Sequence, residues 1–168
     1  VLRRMKRFYT REQYLDVVDR LRLARPDLVI TTDIISGFPG ESDVDFADTM
    51  SLLEAVRFQA SFSFNYSPRP GTPAIKLLDD AVPAGVMQAR LERFQARQRE
   101  IAMESHQALV GSVQRVLVEG PSAHDEGVVC GRTSTFKTIN FPGSTDLAGT
   151  WASVSVTRGF ANTLRGEL

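Results

Sequence analysis

From Thr32 to Glu41 the chain reads Thr-Asp-Ile-Ile-Ser-Gly-Phe-Pro-Gly-Glu, an apolar strand that runs without a spacer into a two-glycine turn. At the carboxyl end of a buried parallel strand the side-chain layer stops, so a turn free of bulky residues can bring backbone N–H and C=O groups against a ligand. Gly37 and Gly40 supply the conformational freedom and Pro39 stiffens the corner. The turn is not a triphosphate loop: it lacks the Gly-Lys-Ser/Thr ending, and Pro39 removes one of the needed N–H donors. Asp33 and Glu41 are the carboxylates beside it, and capping of backbone amides is the favoured role for such a group over orienting a substrate.

Phe64, Asn65 and Tyr66 end a second strand, which places them at the same rim as Gly37 if the two strands are parallel; Tyr66 either packs in the core or faces the ligand. Arg69 follows in a loop stiffened by Pro68, Pro70 and Pro73, where a guanidinium is presented at low entropic cost to a phosphate. No Ser, His and Asp set points to a nucleophilic triad. His106 and His124 are too isolated for a metal site and read as surface residues.

The elements that must position these residues follow from spacing. Thr10 with Gln13 forms a capping box, and Tyr14, Val17, Val18 and Leu21 repeat at helical spacing until Pro26. Leu28 to Ile35 is the β-branched run of a strand buried on both faces. Ser42 caps a second helix whose stripe is Phe46, Met50, Leu53 and Val56, and Ala60, Phe62 and Phe64 alternate with polar residues in a second strand. Pro83 opens a long helix in which Met87, Leu91, Phe94, Ile101 and Met103 alternate with Arg90, Arg93, Arg97 and Arg99. This order predicts an α/β unit with parallel strands.

Beyond about Leu109 the pattern changes to short strands separated by turn residues: Val113–Glu119, Gly127–Gly131, Phe136–Phe141, Trp151–Thr157 and Thr163–Glu167. Five such strands predict a small closed OB-like barrel, giving one unit over 1–108 and another over 109–168.

Composition is that of an ordinary globular protein, with 42% hydrophobic and 24% charged residues. No apolar run is long enough to cross a bilayer and no signal peptide precedes the first helix, so a cytoplasmic location without a membrane partner is expected. The single cysteine, Cys130, excludes an internal disulfide and reads as a small buried strand residue. Beginning at Val1 in a basic segment, the chain reads as a fragment of something longer.

The net charge is zero but unevenly spread. Residues 1–25 carry eight Arg/Lys against three acids, +5, and residues 26–57 carry seven acids against Arg57, −6. Arg3 and Arg7, ahead of the first helix, are candidate phosphate contacts. In the barrel five basic residues balance five acids, so any nucleic-acid contact is local: Arg132, Lys137, Arg158 and Arg165, with Phe136 as a stacking surface. Arg132 and Lys137 are both expected on the barrel surface.

Arg4-Met5-Lys6-Arg7-Phe8-Tyr9-Thr10, Thr31 to Glu41, Phe64-Asn65-Tyr66-Ser67-Pro68-Arg69-Pro70-Gly71-Thr72-Pro73-Ala74 and Gly131-Arg132-Thr133 occur in that order. Together they resemble the C-terminal part of the MiaB-type tRNA methylthiotransferases, radical S-adenosylmethionine enzymes, along nearly the whole chain. The resemblance implies the end of a partial (β/α)₆ barrel followed by a TRAM domain, a small RNA-binding barrel. It implies that Ile35, Ser36 and Gly37 border the S-adenosylmethionine pocket, with Phe64, Asn65 and Tyr66 as its second wall.

The parent's partner would be tRNA, at the anticodon stem-loop, and not DNA. Its 4Fe-4S clusters and S-adenosylmethionine would install a 2-methylthio group on N6-isopentenyladenosine beside the anticodon. This chain lacks the C-x-x-x-C-x-x-C cluster loop, so by itself it is expected to retain no cofactor and to have no catalytic residue. Two alternatives are a stand-alone RNA-binding module on an α/β scaffold, and the sister threonylcarbamoyladenosine or ribosomal-protein methylthiotransferases.

Overall fold

Thr10 begins the first helix, α1 (Arg11–Ala24), as its spacing with Gln13 predicts: Thr10 Oγ1 accepts from the Gln13 N–H at 3.3 Å, and Gln13 Oε1 accepts from the Thr10 N–H at 2.8 Å. The computed structural model describes residues 1–168 except residue 124, so His124 lies outside the described residues. The chain divides into two units, Val1–Gln98 and Arg99–Leu168. No helix among the described residues is long and apolar enough to cross a membrane.

In the first unit, β1 (Thr31–Ser36) leads through the two-glycine turn into α2 (Asp43–Val56), where Ser42 and Asp45 make a second reciprocal cap. The next strand, β2 (Ala60–Asn65), pairs with β1 in parallel from Thr31↔Ala60 to Ser36↔Asn65. A 3₁₀ helix over Pro73–Asp80 precedes α3 (Ala84–Gln107), whose last turns belong to the second unit. The unit is thus a helix and strand region built on one parallel pair.

Two expectations about burial are corrected here. The first concerns β1, which is not buried on both faces: Thr31, Asp33 and Ile35 lie exposed beside their partners Ala60, Phe62 and Phe64. Phe62 is 71% exposed, Phe64 57% and Ile35 43%, an open apolar face. The opposite face is tied to α3: Ser36 Oγ donates to the Met87 carbonyl, Gln95 Nε2 to Ser63 Oγ, and Asn65 Nδ2 to Gln88 Oε1. Helices cover one side of the pair, and the alternation of a strand leaves the other set of side chains open. The second concerns α1, where only Val18 of the predicted stripe is buried while Val17 and Leu21 are half exposed.

In the second unit β3 (Val113–Pro121), β4 (Val128–Thr133), β5 (Thr138–Pro142), β6 (Trp151–Gly159) and β7 (Leu164–Glu167) form a closed barrel in the order β3-β4-β5-β7-β6. All pairs are antiparallel except β5 with β7. Val116, Val118, Val129, Ile139, Phe141, Val154, Val156 and Leu164 fill its interior, the inward half of each strand's alternation. Each of the five predicted strands is present. Phe136, expected to start the third, sits instead in the β4–β5 turn with φ +61°. Cys130 is only half buried on the outer side of β4, its Sγ 3.8 Å from the Pro121 carbonyl, and not a core residue.

The last turn of α3 is seated against this barrel. His106, expected at the surface, is 3% exposed, and its Nδ1 is 2.6 Å from the Phe160 carbonyl oxygen. Burial lowers its pKa, with the Phe160 carbonyl opposing the shift. Gly159 allows this contact, since a Cβ there would lie 2.6 Å from the His106 carbonyl carbon and 2.7 Å from the Gln107 nitrogen. Gly159→Ala is therefore expected to destabilise the chain by about 1–3 kcal/mol through overpacking. Gly85→Ala, in open space on α3, is expected to be neutral or to stabilise by roughly 0.5–1 kcal/mol. Urea unfolding of both variants checks the contrast; equal midpoints would show that the barrel accommodates the methyl group.

Candidate functional site

The turn after β1 is held by its own fold. Gly37 (φ +75°) donates its N–H to Glu41 Oε2 at 2.9 Å, the Glu41 N–H donates to the Phe38 carbonyl at 2.9 Å, and the Gly40 N–H donates to the Asp80 carbonyl at 2.8 Å. These three donors are consumed internally, so the expectation that the turn offers them to a ligand is corrected. Glu41 fills the capping role, while Asp33 stands exposed on the open sheet face.

Glu41 is fixed in turn by Arg90, which reaches its Oε2 at 2.8 Å and its carbonyl at 3.1 Å and extends to Asp43 Oδ1 at 2.7 Å. The side chains of Arg90 and Glu41 are 8% and 5% exposed. Burial pulls the Arg90 pKa down, but hydrogen bonds to Asp43 and Glu41 outweigh it and the guanidinium is held more firmly charged than usual. Spacing put Arg90 on the polar side of α3; nothing local in the sequence marks it as the partner of a glutamate in a distant turn.

Side-chain packing adds to the backbone requirement at Gly37, whereas at Gly40 a methyl group would meet only the movable end of the Arg4 side chain. A Cβ on Gly37 would lie 2.1 Å from Met87 Cγ, and one on Gly40 would lie 2.5 Å from Arg4 Nη1, whose guanidinium pairs with Asp80 at 2.6 Å.

The six residues assigned to a cofactor wall divide between two faces. Ile35 and Phe64 are register partners on the open face. Ser36 and Asn65 turn toward α3, and Gly37 is buried under Met87. The Tyr66 N–H continues the pairing to the Ser36 carbonyl at 2.8 Å, and its ring meets Phe38 edge-on at 5.2 Å. Asn65 Oδ1 and Tyr66 Oη are buried with no hydrogen-bond partner among the described residues. The rim therefore combines an open apolar pair with two buried polar atoms.

The residues assigned to RNA are spread over both units. Arg3 and Arg7 are exposed in a tight turn closed by the Arg7 N–H to the Leu2 carbonyl at 2.9 Å, and Arg69 is exposed in a loop closed by Thr72. On the barrel, Arg132 lies 4.6 Å from the Phe136 ring centroid and 3.3 Å from Glu119. Arg158 lies over Phe160 at 5.2 Å, and Arg165 pairs with Asp125 at 3.0 Å.

Lys137 is the exception. It is 5% exposed rather than a surface residue, with Nζ donating to Ser105 Oγ at 3.0 Å, because its stem passes inward from the β4–β5 turn toward the end of α3. Burial lowers its pKa to about 8. Sequence reasoning missed Arg115 over Trp151 at 4.4 Å, although the lone Trp opposite an Arg-bearing strand was a readable signal.

The second unit, a closed five-stranded barrel, belongs structurally with the small OB-like barrels. Its residues 107–168 match the TRAM domain family. Over its whole length the chain is similar to proteins named tRNA-2-methylthio-N(6)-dimethylallyladenosine synthase. It is 51% identical over 99% of the chain to that of Acidithiobacillus ferrooxidans, covering 37% of that protein. For Nitrosospira multiformis the identity is 48% over 99% of the chain and 35% of the relative, and for Xanthomonas campestris pv. campestris 49% over 100% and 34%. The chain is thus a homologue of the C-terminal part of these synthases, carrying a TRAM domain, and spans about a third of the length of the curated relatives it matches.

Two outcomes follow from the buried charges. Arg90→Met strands Glu41 beside the turn, and loss of one partner of a buried pair is expected to cost about 3–5 kcal/mol. The double variant Arg90→Met, Glu41→Leu should recover part of this, and a denaturation cycle measures it. For Lys137 the folded pKa of about 8 lies below the ordinary 10.5, so the unfolded chain binds the extra proton between those values and stability rises with pH across that window, by roughly 3 kcal/mol in all. Lys137→Met should flatten that rise in thermal melts taken from pH 8 upward, and an unchanged slope would remove the lysine from the effect.

Proposed function

We propose that this chain is the C-terminal part of a radical S-adenosylmethionine tRNA methylthiotransferase that converts N6-isopentenyladenosine beside the anticodon to its 2-methylthio derivative. The observation that carries the reading is identity of 48–51% along essentially the entire chain to proteins named for that product. The first unit is read as the closing portion of a partial (β/α) barrel, with the junction to TRAM between residues 108 and 109. The parallel β1–β2 pair and its open face of Ile35, Phe62 and Phe64 support this, being what a strand pair from a barrel interior would expose.

In this reading Ile35 and Phe64 offer apolar surface to the adenine of S-adenosylmethionine, and Asn65 and Tyr66 end the same strand and brace that wall from the α3 side. The cofactor, when bound in the parent, supplies the one-electron chemistry that activates the base carbon. This chain's residues orient and shield it. They do not fit an iron–sulfur cluster: the single thiolate, Cys130, lies on the outer side of β4, and a cluster needs several. The chain alone is therefore read as catalytically inert. The barrel's Arg132, Arg158, Arg165 and Phe136, with Arg3, Arg7 and Arg69, provide tRNA contacts, which carries a cytoplasmic location with it.

The full-length protein, reconstituted anaerobically with iron and sulfide and given isopentenylated tRNA, should yield the 2-methylthio nucleoside in digests analysed by mass spectrometry. Its absence would overturn the reading. In the chain alone, Arg132→Ala and Arg158→Ala should each weaken tRNA binding and make its salt dependence shallower, by roughly 0.7–0.9 log unit for each phosphate no longer neutralised. Unchanged affinity and slope in both would remove the barrel from tRNA recognition.

A further inference from the structure

Three barrel aromatics stay exposed although the interior is closed: Phe136 at 73%, Trp151 at 53% and Phe160 at 37%. Trp151 and Phe136 share one outer surface. Cross-strand partners point to the same side of a sheet, and the register runs Trp151 on β6, Leu117 on β3, Arg132 on β4 and Thr138 on β5. Strands lie about 4.8 Å apart, so Trp151 and Arg132 stand roughly 10 Å from each other across Leu117.

Each ring is backed by a guanidinium, Arg115 over Trp151 at 4.4 Å and Arg132 over Phe136 at 4.6 Å, and each remains more than half exposed. A ring clamped on one side and open on the other is a preorganised stacking surface with a cation beside it.

Phe136 is the most telling of the four. A bulky residue at φ +61° is unfavourable in itself, and exposing the ring adds to the cost. The turn holds it there through the Phe136 N–H to the Thr133 carbonyl at 2.9 Å and the Thr133 N–H to the Lys137 carbonyl at 3.0 Å. Such strain is retained where the outward ring has a use.

We propose that the outer face of β6, β3 and β4 is a two-ring stacking platform, Trp151 with Arg115 and Phe136 with Arg132, for two unpaired bases of a single-stranded RNA segment. It rests on the reading that this chain binds tRNA, and adds which nucleotides the barrel takes: unstacked ones, because paired bases have no free face to offer. Arg132 is also paired with Glu119 at 3.3 Å, so a phosphate flanking a stacked base would compete with that carboxylate for its guanidinium.

Trp151 is the only tryptophan in the chain, so its emission reports the platform directly. A short single-stranded oligoadenylate should quench it, and a blunt RNA duplex of the same length should not. Trp151→Ala and Phe136→Ala should each weaken oligoadenylate binding by roughly 5- to 150-fold, the range for losing one base stack, with the salt slope unchanged and circular dichroism intact. Trp151→Phe should restore most of the affinity.

If tRNA binds with the arginine-dependent salt slope while neither RNA quenches Trp151, the platform is wrong and tRNA binding stands. If no RNA binds at all, both fall. If the ring substitutions leave RNA affinity unchanged but abolish self-association in sedimentation, the face is a protein contact and the platform is overturned.

Discussion

The first unit depends on one buried charge pair. Arg90 reaches from α3 to Glu41, and Glu41 takes the Gly37 N–H, so a single guanidinium fixes both the helix that covers the sheet and the turn at the end of β1. Two charges buried together are a poor source of net stability, since their desolvation offsets most of their attraction. What they provide is uniqueness. Met87 can approach the Gly37 backbone only when Arg90, on the same helix, is in register with Glu41, and a slip of α3 would strand a buried charge.

That arrangement reassigns the glycine-rich turn. Gly37 packs its backbone against Met87, and the turn's N–H groups are held by the Glu41 carboxylate and by the Phe38 and Asp80 carbonyls. The part of the rim open to a ligand is the neighbouring strand surface, where Ile35 and Phe64 face outward side by side. Close backbone packing beneath and open side chains above are the two faces of one strand, separated by its alternation.

Much of this was readable from the chain. Both helix starts are local signals: the Thr10–Gln13 box appears as its spacing predicts, and Ser42 caps α2 as expected, with Asp45 completing a reciprocal pair beyond that expectation. The five barrel strands were legible because inward and outward residues alternate between turn signals. Side-chain burial at turns was not. Lys137 and His106 are polar residues beside exposed neighbours, and only the docking of the last turn of α3 on the barrel reveals them as interior. Arg90 was illegible for the same reason, its partner lying 49 residues away. The open face of β1 and β2 was misread because a β-branched run reports that a strand belongs in a buried sheet, and says nothing about which covering elements lie within a given stretch of chain.

The strand order of the barrel also sets a schedule. β3, β4 and β5 pair with their sequence neighbours and can form as soon as they exist, but β6 must return to β3, and β7 closes the wall between β5 and β6. Non-local pairings form late, after their loop-closure entropy has been met. During vectorial synthesis the surface around Arg132 and Phe136 therefore precedes its other half, because Trp151 reaches Leu117 only when β6 swings back. A nascent chain presents one ring of the proposed platform and a mature one presents two, so the platform is complete only once the barrel has shut.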